Sequence, residues 1–132
     1  MEEEVTLKHN SDFKYDLKWG KVGEKVVADI VEGDSTEVKS ERDKWIKSGN
    51  HFCEYSSRGK DSGILTTNAK YWSVNFYKKN RLFFNITLET LSLKDIIKKN
   101  KFKKMPGGDS NTSWGYLIPI TELINVNNYE NN

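Results

Sequence analysis

The chain has 132 residues, of which 36% are hydrophobic and 30% charged, and a formal net charge of +2. This length suits one domain over residues 1–132, and four Trp, six Tyr and six Phe supply apolar area for a single core, which excludes a disordered chain. The small net charge identifies no polyanionic partner, and the lone Cys53 excludes a disulfide framework.

A first helix is predicted from Asp16 to Val31, because valine and isoleucine recur there at helical spacing. Gly33 is its predicted terminator. Glu24 lies beside the apolar stripe of this helix, so its carboxylate could reach into a site.

The next predicted element is a strand through Glu37, Val38 and Lys39. Side chains of a strand alternate between its two faces, so Glu37 and Lys39 should share one face. Val38 should point to the opposite, buried face. A carboxylate and an ammonium are therefore expected side by side.

The middle of the chain predicts three more strands, rich in aromatic and β-branched residues. The polar segment Ser40 to Asn50 leads into the first of them, and Thr66 to Tyr71 is predicted as a short helix capped by Thr66 or Thr67. The last two strands read as a hairpin. The predicted strands are His51–Tyr55, Trp72–Tyr77 and Arg81–Ile86.

A second amphipathic helix is predicted over Leu91–Asn100, followed by a Gly-rich loop over Met105–Gly115. A short strand over Tyr116–Ile120 should lie at a sheet edge or contain an irregularity because of Pro119, and Thr121–Ile124 should add a turn of helix. With frayed ends at residues 1–10 and 126–132, this order predicts an α+β, or mixed α/β, domain around a central sheet.

Several segments together resemble the PD-(D/E)XK nuclease superfamily, especially its small phage and archaeal Holliday-junction-resolvase-like members. The resemblance implies a restriction-endonuclease-like fold, with a central mixed sheet flanked by helices. The segments that carry it are Gly23-Glu24, Glu37-Val38-Lys39, Ser48–Tyr55 and Ser62–Trp72.

The resemblance implies an endonuclease that uses Mg²⁺ or Mn²⁺ to hydrolyse DNA phosphodiester bonds. Glu37 would be a metal ligand, Lys39 the catalytic cation, and Glu24 a further ligand or an organiser of water. Asp34 is the remaining candidate ligand, but it lies only three residues before Glu37, where the family leaves about ten. Three alternatives stay open: Asp34 enters from a tight turn, Asp29 or Glu54 replaces it, or one ligand is missing and activity is lost.

Further residues are candidates for contact with DNA, each with a plainer structural role beside it. Thr66 and Thr67 could hold a phosphate or only cap a helix, and lysines of the second helix could follow a backbone or only face solvent. The candidates are Arg58, Lys60, Thr66, Thr67, Lys98 and Lys99.

The expected partner is DNA, branched DNA among its forms, and a homodimer would suit a resolvase-like enzyme. The acidic start is unlike a signal peptide and no apolar run is long enough to span a membrane, so a cytoplasmic protein is expected, in the host cell if it is viral. The second hypothesis is a non-catalytic module that binds nucleic acid or protein on a nuclease scaffold.

Overall fold

The structure is a computed structural model that describes residues 21–30, 32–33 and 35–129. It divides the chain into two compact units, residues 1–34 and residues 35–132. In the first unit, residues 21–30 form helix α1, and the described valines of its apolar stripe are exposed. The Glu32 N–H donates to the Ala28 carbonyl at 2.9 Å, and Gly33 has a left-handed φ of 84°. Gly33 is therefore the helix terminator, as predicted.

The second unit is a mixed α+β structure, which confirms the predicted class. Its strands are β1 (Thr36–Glu41), β2 (Asn50–Ser57), β3 (Lys60–Asp61), β4 (Tyr71–Lys78), β5 (Arg81–Glu89), β6 (Lys103–Gly107) and β7 (Ser113–Pro119). Its α-helices are α2 (Lys44–Ser48), α3 (Thr90–Lys99) and α4 (Ile120–Leu123), and 3₁₀ turns cover Gly63–Leu65, Asp109–Asn111 and Val126–Tyr129. None of the helices in the described ranges has the length and apolar character needed to cross a bilayer.

The described strands form two sheets and not the single central sheet expected from the sequence. The first has the order β1-β4-β5, with β1 parallel to β4 and β5 antiparallel to β4. The second has the order β3-β2-β7-β6 and is antiparallel throughout. Parallel neighbours need a long connection, and here the chain between β1 and β4 contributes β2 and β3 to the second sheet.

The predicted hairpin, second helix and last helical turn are confirmed as β4–β5, α3 and α4. Two local predictions are wrong. The short helix lies at Gly63–Leu65, so Thr66 follows its C-terminal end instead of capping its start. The predicted loop Met105–Gly115 contains the end of β6 and the start of β7. The polar segment before β2, for which no element was predicted, contains α2. Of the predicted frayed ends, residues 126–129 form a 3₁₀ turn, while 1–10 and 130–132 lie outside the described residues.

Two glycines that suggested a loop are instead required within the sheet. A Cβ built on Gly107 would lie 2.8 Å from the Phe52 ring, and one built on Gly115 would lie 2.7 Å from it. The ring of Phe52 therefore packs on bare backbone of β6 and β7, as glycine allows. β7 is an internal strand and not the edge strand that Pro119 suggested, but β6 pairs only as far as Leu117, so among the described strands Pro119 has a neighbour on the β2 side alone.

The hydrophobic core contains side chains of β4, β2, β7 and α3, with Trp72 and Phe76 as its largest fully buried members. Cys53 on β2 is also fully buried. Desolvation by burial raises the pKa of the Cys53 thiol to about 12, and the nearby Lys39 offsets only part of this rise.

A chain of hydrogen bonds links the two sheets inside this core. Glu41 at the end of β1 accepts from the His51 Nδ1–H at 2.6 Å and from the Phe52 N–H at 2.7 Å, both on β2. The Trp72 indole N–H of β4 donates to His51 Nε2 at 3.1 Å. Because Nε2 accepts this bond, the imidazole proton lies on Nδ1 and the ring is a neutral bridge. Each polar atom of His51 therefore has a partner.

Replacing Glu41 with Gln should lower the free energy of unfolding by about 1–3 kcal/mol, because two charge-assisted hydrogen bonds lose their ionised acceptor. Glu37→Gln is the matched control, two residues away on the same strand, and should cost less than about 1 kcal/mol. Urea unfolding of both variants measures the difference. Equal losses would contradict a special role for Glu41.

The thiol of Cys53 should be almost inert towards a thiolate-selective reagent in the folded protein, because the thiol is buried and its raised pKa keeps it protonated. In urea the same thiol should react at the rate of a model cysteine peptide. Timed labelling at pH 8 with and without denaturant checks this. Equal rates in both conditions would contradict the burial.

Candidate functional site

Glu37 and Lys39 project from one face of β1, as the sequence predicted, and Lys39 Nζ lies 3.3 Å from Glu37 Oε2. The predicted burial of Val38 is wrong, since this side chain is 57% exposed. The parallel register explains the inversion, because it pairs Glu37 with Trp72 of β4, whose face is the core side. The two charged side chains therefore point towards the core side, and the valine points away from it.

Lys39 lies across the fully buried ring of Trp72, with Nζ 5.4 Å from the ring centroid. Its side chain remains 34% exposed, so part of it reaches solvent while the ammonium lies over the indole. Carboxylate on one side and aromatic face on the other restrict the ammonium to a small region. A lysine held in this way is a fixed positive charge at the surface of the core.

Thr67 holds the second oxygen of the Glu37 carboxylate. The Thr67 Oγ1–H donates to Glu37 Oε1 at 3.2 Å, and Thr67 Oγ1 itself accepts from the Ala69 N–H at 3.1 Å. The Tyr71 N–H donates to the Ser35 carbonyl, which joins the starts of β1 and β4. Thr67 is thus brought to the predicted pair, although not as the helix cap that the sequence suggested.

Of the other predicted carboxylates, two are on α1 of the first unit, one is on β2 of the second unit and one lies outside the described residues. Glu24 is exposed on α1 in the first unit, where Asp29 lies 3.6 Å from Lys25 in an i,i+4 ion pair. Asp34 lies outside the described residues. Glu54 accepts from the Ser62 hydroxyl at 2.7 Å.

Magnesium is usually held by one or two carboxylates together with waters, and Glu37 fits the role of one such ligand. Within the described ranges, no group of three His, Cys, Asp or Glu side chains could hold a metal ion.

The remaining predicted DNA contacts occupy exposed positions. Arg58 lies in the β2–β3 turn with φ 51°, and Lys60 begins β3. Thr66 follows the 3₁₀ turn and is exposed. Lys98 and Lys99 form the basic last turn of α3, where they also favour the negative end of the helix dipole.

Sequence reasoning did not find Glu41 and His51, although one signal for Glu41 was present. The alternation that pairs Glu37 with Lys39 continues to Glu41, two residues further along the same face. No local pattern pairs His51, because its partners Glu41 and Trp72 are 10 and 21 residues away in sequence.

Comparison with protein-family models, with curated proteins and with solved structures gives no match for this chain.

Proposed function

We propose that this protein is a metal-dependent deoxyribonuclease with a restriction-endonuclease-like fold, in which Glu37 and Lys39 form the reactive pair. The observation that carries the proposal is their placement on the core side of β1, where an apolar side chain would be expected, with Val38 exposed instead. Polar groups placed against a core cost desolvation energy, so such a pattern is typical of a functional site.

The geometry of Lys39 suits phosphodiester hydrolysis. A cation fixed by Glu37 and Trp72 needs little reorganisation when negative charge develops on a phosphate oxygen. Thr67 keeps the Glu37 carboxylate oriented. Mg²⁺ or Mn²⁺ would supply further positive charge at the phosphate and an activated water. The substrate would be DNA, including branched DNA cut by a homodimer, and a reducing cytoplasm would suit the free thiol of Cys53.

Glu37→Ala and Lys39→Ala should each reduce metal-dependent DNA cleavage by about 10²–10³-fold, because each removes a charge that acts on the reacting phosphate. The assay offers linear duplex, single-stranded and four-way-junction DNA with Mg²⁺ or Mn²⁺, and EDTA should abolish cleavage. Lys39→Arg tests whether a positive charge at this position is enough for cleavage.

Ser40→Ala is the matched control, since Ser40 is on the same strand but points to the exposed side. It should cleave like the unaltered protein, and thermal unfolding should show that every variant is folded. Intact DNA in every substrate and metal combination, with the unaltered protein, would contradict the proposal.

A non-catalytic nucleic-acid-binding module is the second candidate function. One observation favours it: lysine side chains are exposed side by side in the last turn of α3. Binding would then rest on exposed lysines, with Lys98 and Lys99 as the predicted pair.

For this second candidate, DNA binding should occur in EDTA without cleavage and should weaken with salt. The double variant Lys98→Gln/Lys99→Gln should reduce the magnitude of the slope of log affinity against log salt by about 2. Each phosphate contact that is lost leaves about one counterion on the DNA that binding would otherwise release. Lys44→Gln/Lys47→Gln on α2 carries the same charge change and should leave the slope unaltered. Metal-dependent cleavage, or equal slopes in both double variants, would contradict this candidate.

A further inference from the structure

The start of α3 combines two features that a phosphate group could satisfy. Thr90 is the first residue of this ten-residue helix, is 4% exposed, and its Oγ1 has no hydrogen-bond partner. A buried hydroxyl without a partner lowers stability, so its retention calls for a reason.

The backbone at this helix start is also short of acceptors. Glu89 precedes the helix without a side-chain capping bond, and the Thr90 N–H donates to the Lys70 carbonyl at 2.8 Å. The next two N–H groups, of Leu91 and Ser92, precede the first α-helical hydrogen bond and have no α-helical acceptor. Together with the helix dipole, these donors favour an anion.

A cavity of about 300 Å³ opens at this point. Thr90 and Thr67 line it, together with two lysines, Lys70 and Lys94, and one glutamate, Glu89. The lining is therefore more positive than negative. Rotation about χ1 can redirect a threonine hydroxyl, so Oγ1 of Thr90 can serve a ligand in this cavity.

The strand order places this cavity beside the reactive pair. β1 and β4 run parallel, so their starts lie together, and β5 is antiparallel, so its end pairs Glu89 with Tyr71 at the start of β4. Thr67 belongs to both places, because it lines the cavity and donates to Glu37.

We propose that the start of α3, with Thr90, Lys70 and Lys94, is a phosphate-binding subsite that holds the nucleic-acid backbone next to Glu37 and Lys39. The subsite rests on the proposed nuclease function for its biological ligand, but its affinity for phosphate is independent of cleavage. An internal phosphodiester and a terminal phosphomonoester share the chemistry it recognises.

Inorganic phosphate is the first probe, titrated into ¹⁵N-labelled protein and followed by amide chemical shifts. The shifts should concentrate at the first turn of α3 and at residues 67–70. Thr90→Val, which keeps the shape but loses the hydroxyl, should weaken phosphate binding about tenfold, and Thr90→Ser should restore it. Thr90→Val removes no hydrogen bond, so it should fold as stably as the unaltered protein.

Charge variants give effects of opposite sign. Lys94→Gln should weaken phosphate binding several-fold and Glu89→Gln should strengthen it, since one removes an attraction and the other a repulsion. Lys47→Gln, an exposed position on α2, carries the same charge change, is the matched control and should change nothing. Shifts centred elsewhere, or equal phosphate affinity in Thr90→Val and the unaltered protein, would overturn the proposal.

Oligonucleotides then distinguish the source of the phosphate. If Thr90→Val weakens binding of strands with and without a 5′-phosphate alike, the subsite takes an internal diester; if it weakens only the phosphorylated strand, the subsite takes a terminal group. Phosphate binding that depends on Thr90 in a protein that cleaves no DNA would keep the subsite and reject the nuclease. Cleavage with phosphate affinity independent of Thr90 would do the reverse.

Discussion

The bridge from Glu41 to His51 and Trp72 is the interaction on which the arrangement of the second unit depends. Among the described strands, β1 pairs with β4 and β2 belongs to the other sheet, so no strand ladder joins β1 to β2. One carboxylate oxygen closes this gap by accepting from both a side chain and the backbone of β2. Glu37 and Lys39 lie on the same face of β1 as Glu41, so the attachment of Glu41 to β2 also fixes the face on which these two side chains lie.

Glu37 and Lys39 are tolerated against the core because each has local compensation. Lys39 places its ammonium over the Trp72 ring while its side chain stays about one third exposed, and Glu37 accepts from Thr67. The ion pair itself contributes little, since both side chains are about one third exposed. The contacts with Thr67 and Trp72 hold the Glu37 carboxylate and the Lys39 ammonium in one orientation.

Local signals predicted those parts of the fold that depend on neighbours in sequence. The amphipathic pattern of α3, the hairpin of β4 and β5, and the shared face of Glu37 and Lys39 follow from periods of 3.6 and 2. The predictions that are wrong concern residues whose positions depend on contacts with residues distant in sequence. Val38 is exposed because of its register with β4, and Gly107 and Gly115 belong to strands because Phe52 packs on them. Thr90 could not be found at all, since an orphaned hydroxyl is visible only in three dimensions.

The long connection between β1 and β4 has a consequence for how the chain acquires its chemistry. The hydrogen bond between Thr67 and Glu37 joins residues 30 positions apart, and α2, β2 and β3 lie between them. Contacts of such separation form late, because a large loop must close before they contribute. The antiparallel hairpin of β4 and β5 can form early, whereas β1 must find β4 across the intervening chain. A newly synthesised or partly unfolded molecule would therefore lack the oriented pair, and any reactivity at Glu37 and Lys39 would be confined to fully folded molecules.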